Sequence, residues 1–225
     1  PFRQYLIPQI AAFQREYGTE AAERIKTLNE RASERIRFLN ATKFFADGAF
    51  IAQLMQLGEP GYIDGHEGAW MADPDRIVQH IRPFWNAGSQ INIHVNGDKG
   101  MAATLDAVAE LLSEKPRFDH RTVLHHVGIS SQAQSRRAAA LGCAIQANGY
   151  YLRYFGDQYV TEGLGTERAS QMTRVGSARR NGMSVAVHSD LPMGPLEPLL
   201  AASIMATRQS ASGVVLCPEE CLSPY

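Results

Sequence analysis

The chain has 225 residues, of which 44% are hydrophobic and 20% charged, with a formal net charge of −1. That length and balance fit an ordinary globular domain. A near-neutral charge with no run of Lys and Arg argues against nucleic acid or an acidic membrane surface as partner, and no segment approaches the ~20 apolar residues of a membrane span.

The chain opens on Pro1 rather than Met and closes on "GVVLCPEECLSPY". It is therefore expected to be a piece of a longer polypeptide, treated as one domain over 1–225, and no signal-peptide pattern stands at its start. Three cysteines, Cys143, Cys217 and Cys221, make an odd count. This fits a reducing, cytoplasmic setting better than a disulfide framework. The Cys217–Cys221 spacing is a weak metal signal, and both are read as reduced bystanders.

In chain order, residues 19–37 predict an amphipathic helix, with Ala21, Ile25, Leu28, Ala32 and Ile36 at helical spacing and Thr19 placed to cap. "FLNATKFFADG" predicts a strand ending in a turn. Residues 48–72, rich in Gly and without a period, predict a long loop. "DPDRIVQHIRPFWNAG" opens with a capping Asp73 and Pro74 and closes at Gly88, with Pro83 expected to kink or shorten the helix. Strand "INIHVNGDKG", helix "GMAATLDAVAELLSEK", strand "RTVLHHVG", helix "SSQAQSRRAAALG" and strand "CAIQAN" follow. Residues 149–165 predict an aromatic loop. A helix ending near "RRNG", the strand "SVAVHSD" and an apolar helix from Pro198 complete the pattern. Regular alternation of strand and helix points to an α/β fold with a parallel sheet.

Alternate strand residues share a face. Residues 91–96 separate Ile91, Ile93 and Val95 from Asn92, His94 and Asn96. Val185 and Val187 likewise oppose Ser184, Ala186, His188 and Asp190, and Ile145 opposes Gln146 and Asn148. Strands buried between two helical layers read apolar on both faces. Here one face is polar toward the C-terminal ends, as expected when strands curl into a barrel whose rim forms a site. Lys43, His94, His126 (or its neighbour His125) and Asp190 fall near the C-terminal ends of different strands. His and carboxylate are ligand types suited to zinc and similar ions. A single strand-end histidine is more often a hydrogen-bonded rim residue; four suitable residues at equivalent places carry the argument. His66 in a loop, His80 on a solvent-facing helix side and His120 at an exposed position before a strand carry no assignment.

The pieces "TKFFADG", "IHVNGDKG", "RTVLHH", "LGTERA" and "VAVHSDLP" also carry a resemblance. In this order and spacing the chain resembles the amidohydrolase superfamily, in its family 3 branch that includes N-substituted formamide deformylase-like proteins. The resemblance covers nearly all of the chain from about residue 40. It implies a (β/α)8 TIM barrel of the metal-dependent hydrolase type with metal at the C-terminal rim, strands 4–8 being present. By the same resemblance Lys43 is the strand-4 lysine, carbamylated where two metals are bridged. His94 is the strand-5 ligand. His126 is the strand-6 ligand, preferred over His125 because the family places its histidine directly before a small apolar residue. Asp190 is the strand-8 aspartate, which binds metal and takes a proton from the attacking water.

The chain departs from the family in one respect. The superfamily takes two ligands from a His-x-His on strand 1, and the seven histidines here contain no such pair. Strand 1 and the small β domain are missing, so five parallel strands would leave two open edges. The remainder of the same polypeptide, or another copy, is expected to complete the barrel.

The expected function is a metal-dependent hydrolase that cleaves C–N bonds of amides or cyclic amides through a metal-activated water, with one or two divalent ions, zinc first. The expected partner is a small-molecule substrate. His188 and the aromatic Tyr150, Tyr151 and Tyr154 are placed to line its pocket, and Asp98 is assigned a structural role in its loop. The rival expectations are a non-catalytic binding or regulatory protein on a degraded barrel, and another barrel hydrolase acting on phosphoesters.

Overall fold

A computed structural model describes residues 2–223 of the chain. It begins with β1 (Gln4–Leu6), α1 (Ile10–Tyr17), α2 (Ala21–Thr27) and β2 (Ile36–Phe38), with β1 and β2 paired in parallel. The expected single helix over 19–37 is therefore corrected. α2 ends at Thr27, passes through a 3-10 turn at Leu28–Arg31, and Ile36 enters a strand. The helical period of Ala21 and Ile25 is real, and both are buried. Ile36 instead pairs with Gln4, a tertiary contact that local spacing does not encode.

The main sheet has five parallel strands in sequence order. These are β3 (Ala41–Phe45), β4 (Gln90–Val95), β5 (Val123–His126), β6 (Ala144–Asn148) and β7 (Val185–His188). The free side of β3 is partly occupied, since Lys43 N donates to Pro8 O at 2.8 Å. α3 (Ile77–Asn86) lies between β3 and β4, α4 (Asp98–Glu114) between β4 and β5, and α5 (Gln132–Ala140) between β5 and β6. Between β6 and β7 come α6 (Tyr150–Gln158), α7 (Gly165–Ala169) and α8 (Val175–Arg180), and α9 (Pro198–Thr207) follows β7.

Local chemistry explains several boundaries. Ser131 and Gln134 form a reciprocal capping box at the start of α5. Asp73 accepts from Asp75 N just before α3. α3 runs through Pro83 to Asn86 rather than stopping there. The segment 149–165, expected to be a loop, is helical: α6 continues into a π-turn at Tyr159–Gly163. Its many aromatic residues obscured a helical face on which Tyr151, Leu152 and Tyr159 are buried.

Register divides the sheet into two faces. Phe44, Ile93, Leu124, Ile145 and Val185 align across the strands. They pack into the core with Ile81, Leu105 and Ala138 from the helices. The other face carries Lys43 beside Asn92, and then a row of Phe45, His94, His125, Gln146 and Ala186. Asn148 and His188 end that face at the C-terminal rim. The alternation read in the sequence thus separates a helix-covered face from a polar one. Among the described residues, no helix is long and apolar enough to cross a membrane.

Candidate metal centre

The rim is held together by Asp47, which follows β3 and is fully buried. Its carboxylate accepts the backbone N–H of Asn96 at 2.8 Å, Gly97 at 2.8 Å and Gln56 at 3.0 Å. Burial pushes its carboxyl up to about 6, and these N–H groups pull the other way. The same contact explains the glycines of "NGDKG". A Cβ on Gly97 would lie 2.0 Å from the Gln56 carbonyl, and one on Gly100 would lie 2.7 Å from the Asp47 carboxylate. Backbone and carboxylate approach there too closely for any side chain. Asp98 has the structural role expected of it, accepting Gly58 N at 2.9 Å and pairing with Arg168 at 2.9 Å.

Two consecutive histidines reach the same space. His125 belongs to the polar face by register, so its neighbour should point away. His126, however, has φ 73° and Val127 φ 49°, which breaks the alternation. The His126 ring therefore lies 4.4 Å from that of His94 and 4.8 Å from that of His188. Both histidines left open by the sequence are at the rim, with different neighbours. His126 Nδ1 is 3.8 Å from Asp190 Oδ2, while His125 Nδ1 is 2.6 Å from Lys43 Nζ.

His94 and His126 are buried, His125 and His188 partly so, and all four are held below the usual imidazole range. Burial first, then the charge of Lys43, pushes His94 down to about 4 and His125 to about 3. Burial also brings His188 to about 4, against the pull of Asp190, and drives His126 well below the usual range. Neutral imidazoles present the lone pairs that a metal ion requires. Burial lowers Lys43 to about 8, with Asp190 opposing.

His126, His188 and Asp190 each offer one ligand atom, all within 4.8 Å of one another. His188 Nε2 is buried without a hydrogen-bond partner. The donor set and the unpartnered nitrogen both fit a divalent ion. Of the expected metal residues, His126 and Asp190 are in this group, and His188, expected at the substrate, joins them. His94 stands beside it, its Nε2 3.0 Å from Asn96 Nδ2. Lys43 is turned to His125.

Of the expected pocket residues, Tyr151 is at the site, its hydroxyl 3.4 Å from His126 Nδ1 and its ring stacked on Phe50 at 4.0 Å. Tyr150 is not brought to the histidines; its hydroxyl donates to Glu197 O at 3.0 Å. Sequence reasoning missed Asp47, whose only visible signal was the Asp-Gly that reads as a turn. It also misplaced His120, which is buried between Thr122 and the Leu141 carbonyl. His66 pins its own loop through Asp64 and the Gln53 carbonyl, and His80 contacts Gln14.

Two solved structures share this fold at a TM-score of 0.73. They are uncharacterized metal-dependent hydrolases from Pyrococcus furiosus, 21% identical, and Pyrococcus horikoshii OT3, 17% identical. Each match covers 97% of this chain, and 48% and 47% of the respective relative. The likeness shows the fold: the five-stranded sheet with its helices is part of a TIM barrel of the metal-dependent hydrolase type. YtcJ of Bacillus subtilis (strain 168), which carries an amidohydrolase name, is 26% identical over 210 residues, 92% of this chain and 39% of its own length. The chain thus spans less than half the length of these relatives. A profile of the amidohydrolase family matches residues 6–225, nearly the whole chain, and with the rim geometry above it the chain belongs to the amidohydrolase family.

Proposed function

We propose that this chain is the C-terminal barrel portion of a metal-dependent hydrolase that cleaves C–N bonds of amides or cyclic amides. The observation that carries the reading is the convergence of His126, His188 and Asp190 around a buried, unpartnered His188 Nε2. Zinc suits that donor set. His94 and Lys43 complete the ligand side, Lys43 as a carbamate, because an amine lowered to about 8 is partly neutral near pH 7–8 and only the neutral form adds carbon dioxide. A divalent ion held there lowers the pKa of water toward ~7 and polarises a carbonyl.

The chain's own groups supply the rest of the chemistry. Asp190, half-exposed at the end of β7, takes the proton of the attacking water and returns it to the amine nitrogen as the C–N bond breaks. Tyr151, kept protonated by burial, offers its hydroxyl as a donor toward the substrate carbonyl oxygen. The substrate is a small molecule entering from the rim. The remainder of the same polypeptide, or a second copy, completes the barrel beyond β7, where the ligands of strand 1 would stand. Three unpaired cysteines support a reducing, cytoplasmic setting.

Metal analysis of the full-length protein tests the reading, with one or two zinc, iron or manganese ions per chain expected. A protein with no stoichiometric metal would instead support the non-catalytic binding role. Parallel assays on amide and phosphoester substrates separate C–N cleavage from phosphoester chemistry.

A further inference from the structure

We infer that His125 is a positioning residue for Lys43, locked in one tautomer by Asn92. Asn92 Nδ2 donates to the Thr42 carbonyl at 3.3 Å. A carbonyl only accepts, so this bond fixes which end of the amide faces which way. Asn92 Oδ1 is thereby turned to His125 Nε2, at 3.2 Å. Oδ1 also only accepts, so Nε2 carries the proton and Nδ1 the lone pair. That lone pair lies 2.6 Å from Lys43 Nζ, which must be the donor. Each assignment forces the next, and the series starts at a backbone carbonyl of β3, beside the lysine it finally holds.

The sheet makes this possible. Lys43 and Asn92 are register partners, and His125 lies on the same face one row further along. The break in alternation at His126 then gives the two histidines different tasks. His126 is turned toward Asp190 and His188, and His125 is left for Lys43. The inference rests on the proposed function for the identity of the ligands. A carbamylated Lys43 keeps one N–H, and Nδ1 of His125 would accept it, so the same relay serves the lysine before and after modification. Groups that orient metal ligands in this way are usually worth 10–100-fold in metal affinity.

Two measurements on the full-length protein decide it. In the metal-free protein with ¹⁵N-labelled histidine, NMR should find His125 in the Nε2–H tautomer. Asn92→Asp should preserve that state, because a carboxylate also only accepts, and so should Lys43→Met, where Asn92 alone remains to fix it. Lys43→Met combined with Asn92→Leu removes both partners and should give mixed tautomers. His125 protonated at Nδ1 in the wild type, or mixed tautomers in Lys43→Met with Asn92 intact, would overturn the relay. In competition titrations with zinc, His125→Ala should weaken binding about 10–100-fold, and His126→Ala should abolish it. Unchanged affinity in His125→Ala, or abolished binding there with retention in His126→Ala, would overturn the division of tasks. A full-length protein that binds no zinc in any form would overturn the proposed function, and the tautomer measurement would still decide the relay.

Discussion

β4 and β7 carry the same alternation of apolar and polar residues, yet they sit in opposite circumstances. On β4 every residue from Ile91 to Val95 is buried, and the polar side chains on its inner face are all engaged: Asn92 with Thr42 and His125, His94 with Asn96. On β7 no residue is fully buried, Ala186 is exposed, and His188 Nε2 has no partner. One strand is flanked by neighbours on both sides and the other is an edge. The comparison separates two kinds of site residue: those whose geometry the sheet fixes, around Lys43 and His94, and those left open to take a ligand, His188 and Asp190.

The largest expected effect is on the open side. Under the proposed function, Asp190→Asn in the full-length protein should lower kcat by about 10²–10⁴-fold through loss of the proton acceptor, with the fold retained by circular dichroism. A kcat within tenfold of wild type would remove Asp190 from proton transfer.

The next effect belongs to the closed side. Asp47→Ala leaves three buried N–H donors unpaired. It should cost about 3 kcal/mol or more in urea unfolding, whereas a loss below about 1 kcal/mol would mean that water replaces the carboxylate.

Acidification should act on both sides together. His94, His125, His126 and His188 have folded pKa values below the usual 6.5. The unfolded chain therefore binds more protons than the folded one between pH 6.5 and about 4, and stability falls as pH falls through that window. Asp47, raised to about 6, opposes this as a single group, contributing stability at low pH that is lost as pH rises through 6. The melting temperature of the metal-free chain should therefore drop between pH 7 and pH 4.5, and a rise would show that the histidines are charged in the fold.

The smallest effect is a contrast within one face of the sheet. Ala186→Ser on exposed β7 should change the stability of this chain by no more than about 0.5 kcal/mol. Asn92→Leu on buried β4, which strands the His125 Nε2–H, should cost about 1–3 kcal/mol. Equal costs would erase the distinction between the two strands.

The order of the five main-sheet strands and the two faces of β4 were legible in the sequence because they follow from local periodicity. Histidines and a carboxylate could be placed near the strand ends because those residue types bind metal. The apolar trio of Ile91, Ile93 and Val95 and the polar Asn92 and His94 fall where their alternation put them. Three features were not legible. The strand at Ile36 exists only because Gln4 lies beside it, and the helix over 150–158 was hidden by aromatic composition. Asp47 looked like an ordinary turn residue until its three backbone partners, 9 to 50 positions away, were in place.

The sequence by itself determined that His125 and His126 stand together at the end of a strand. Only the tertiary structure decided that both enter the site, because the positive φ at His126 overrides the alternation from which faces are read. It likewise decided which histidine meets Lys43 and which meets Asp190, since those partners lie 82 and 64 residues away along the chain and are brought near only by parallel strand pairing. Periodicity assigns a face, but hydrogen-bond direction across neighbouring strands assigns the task.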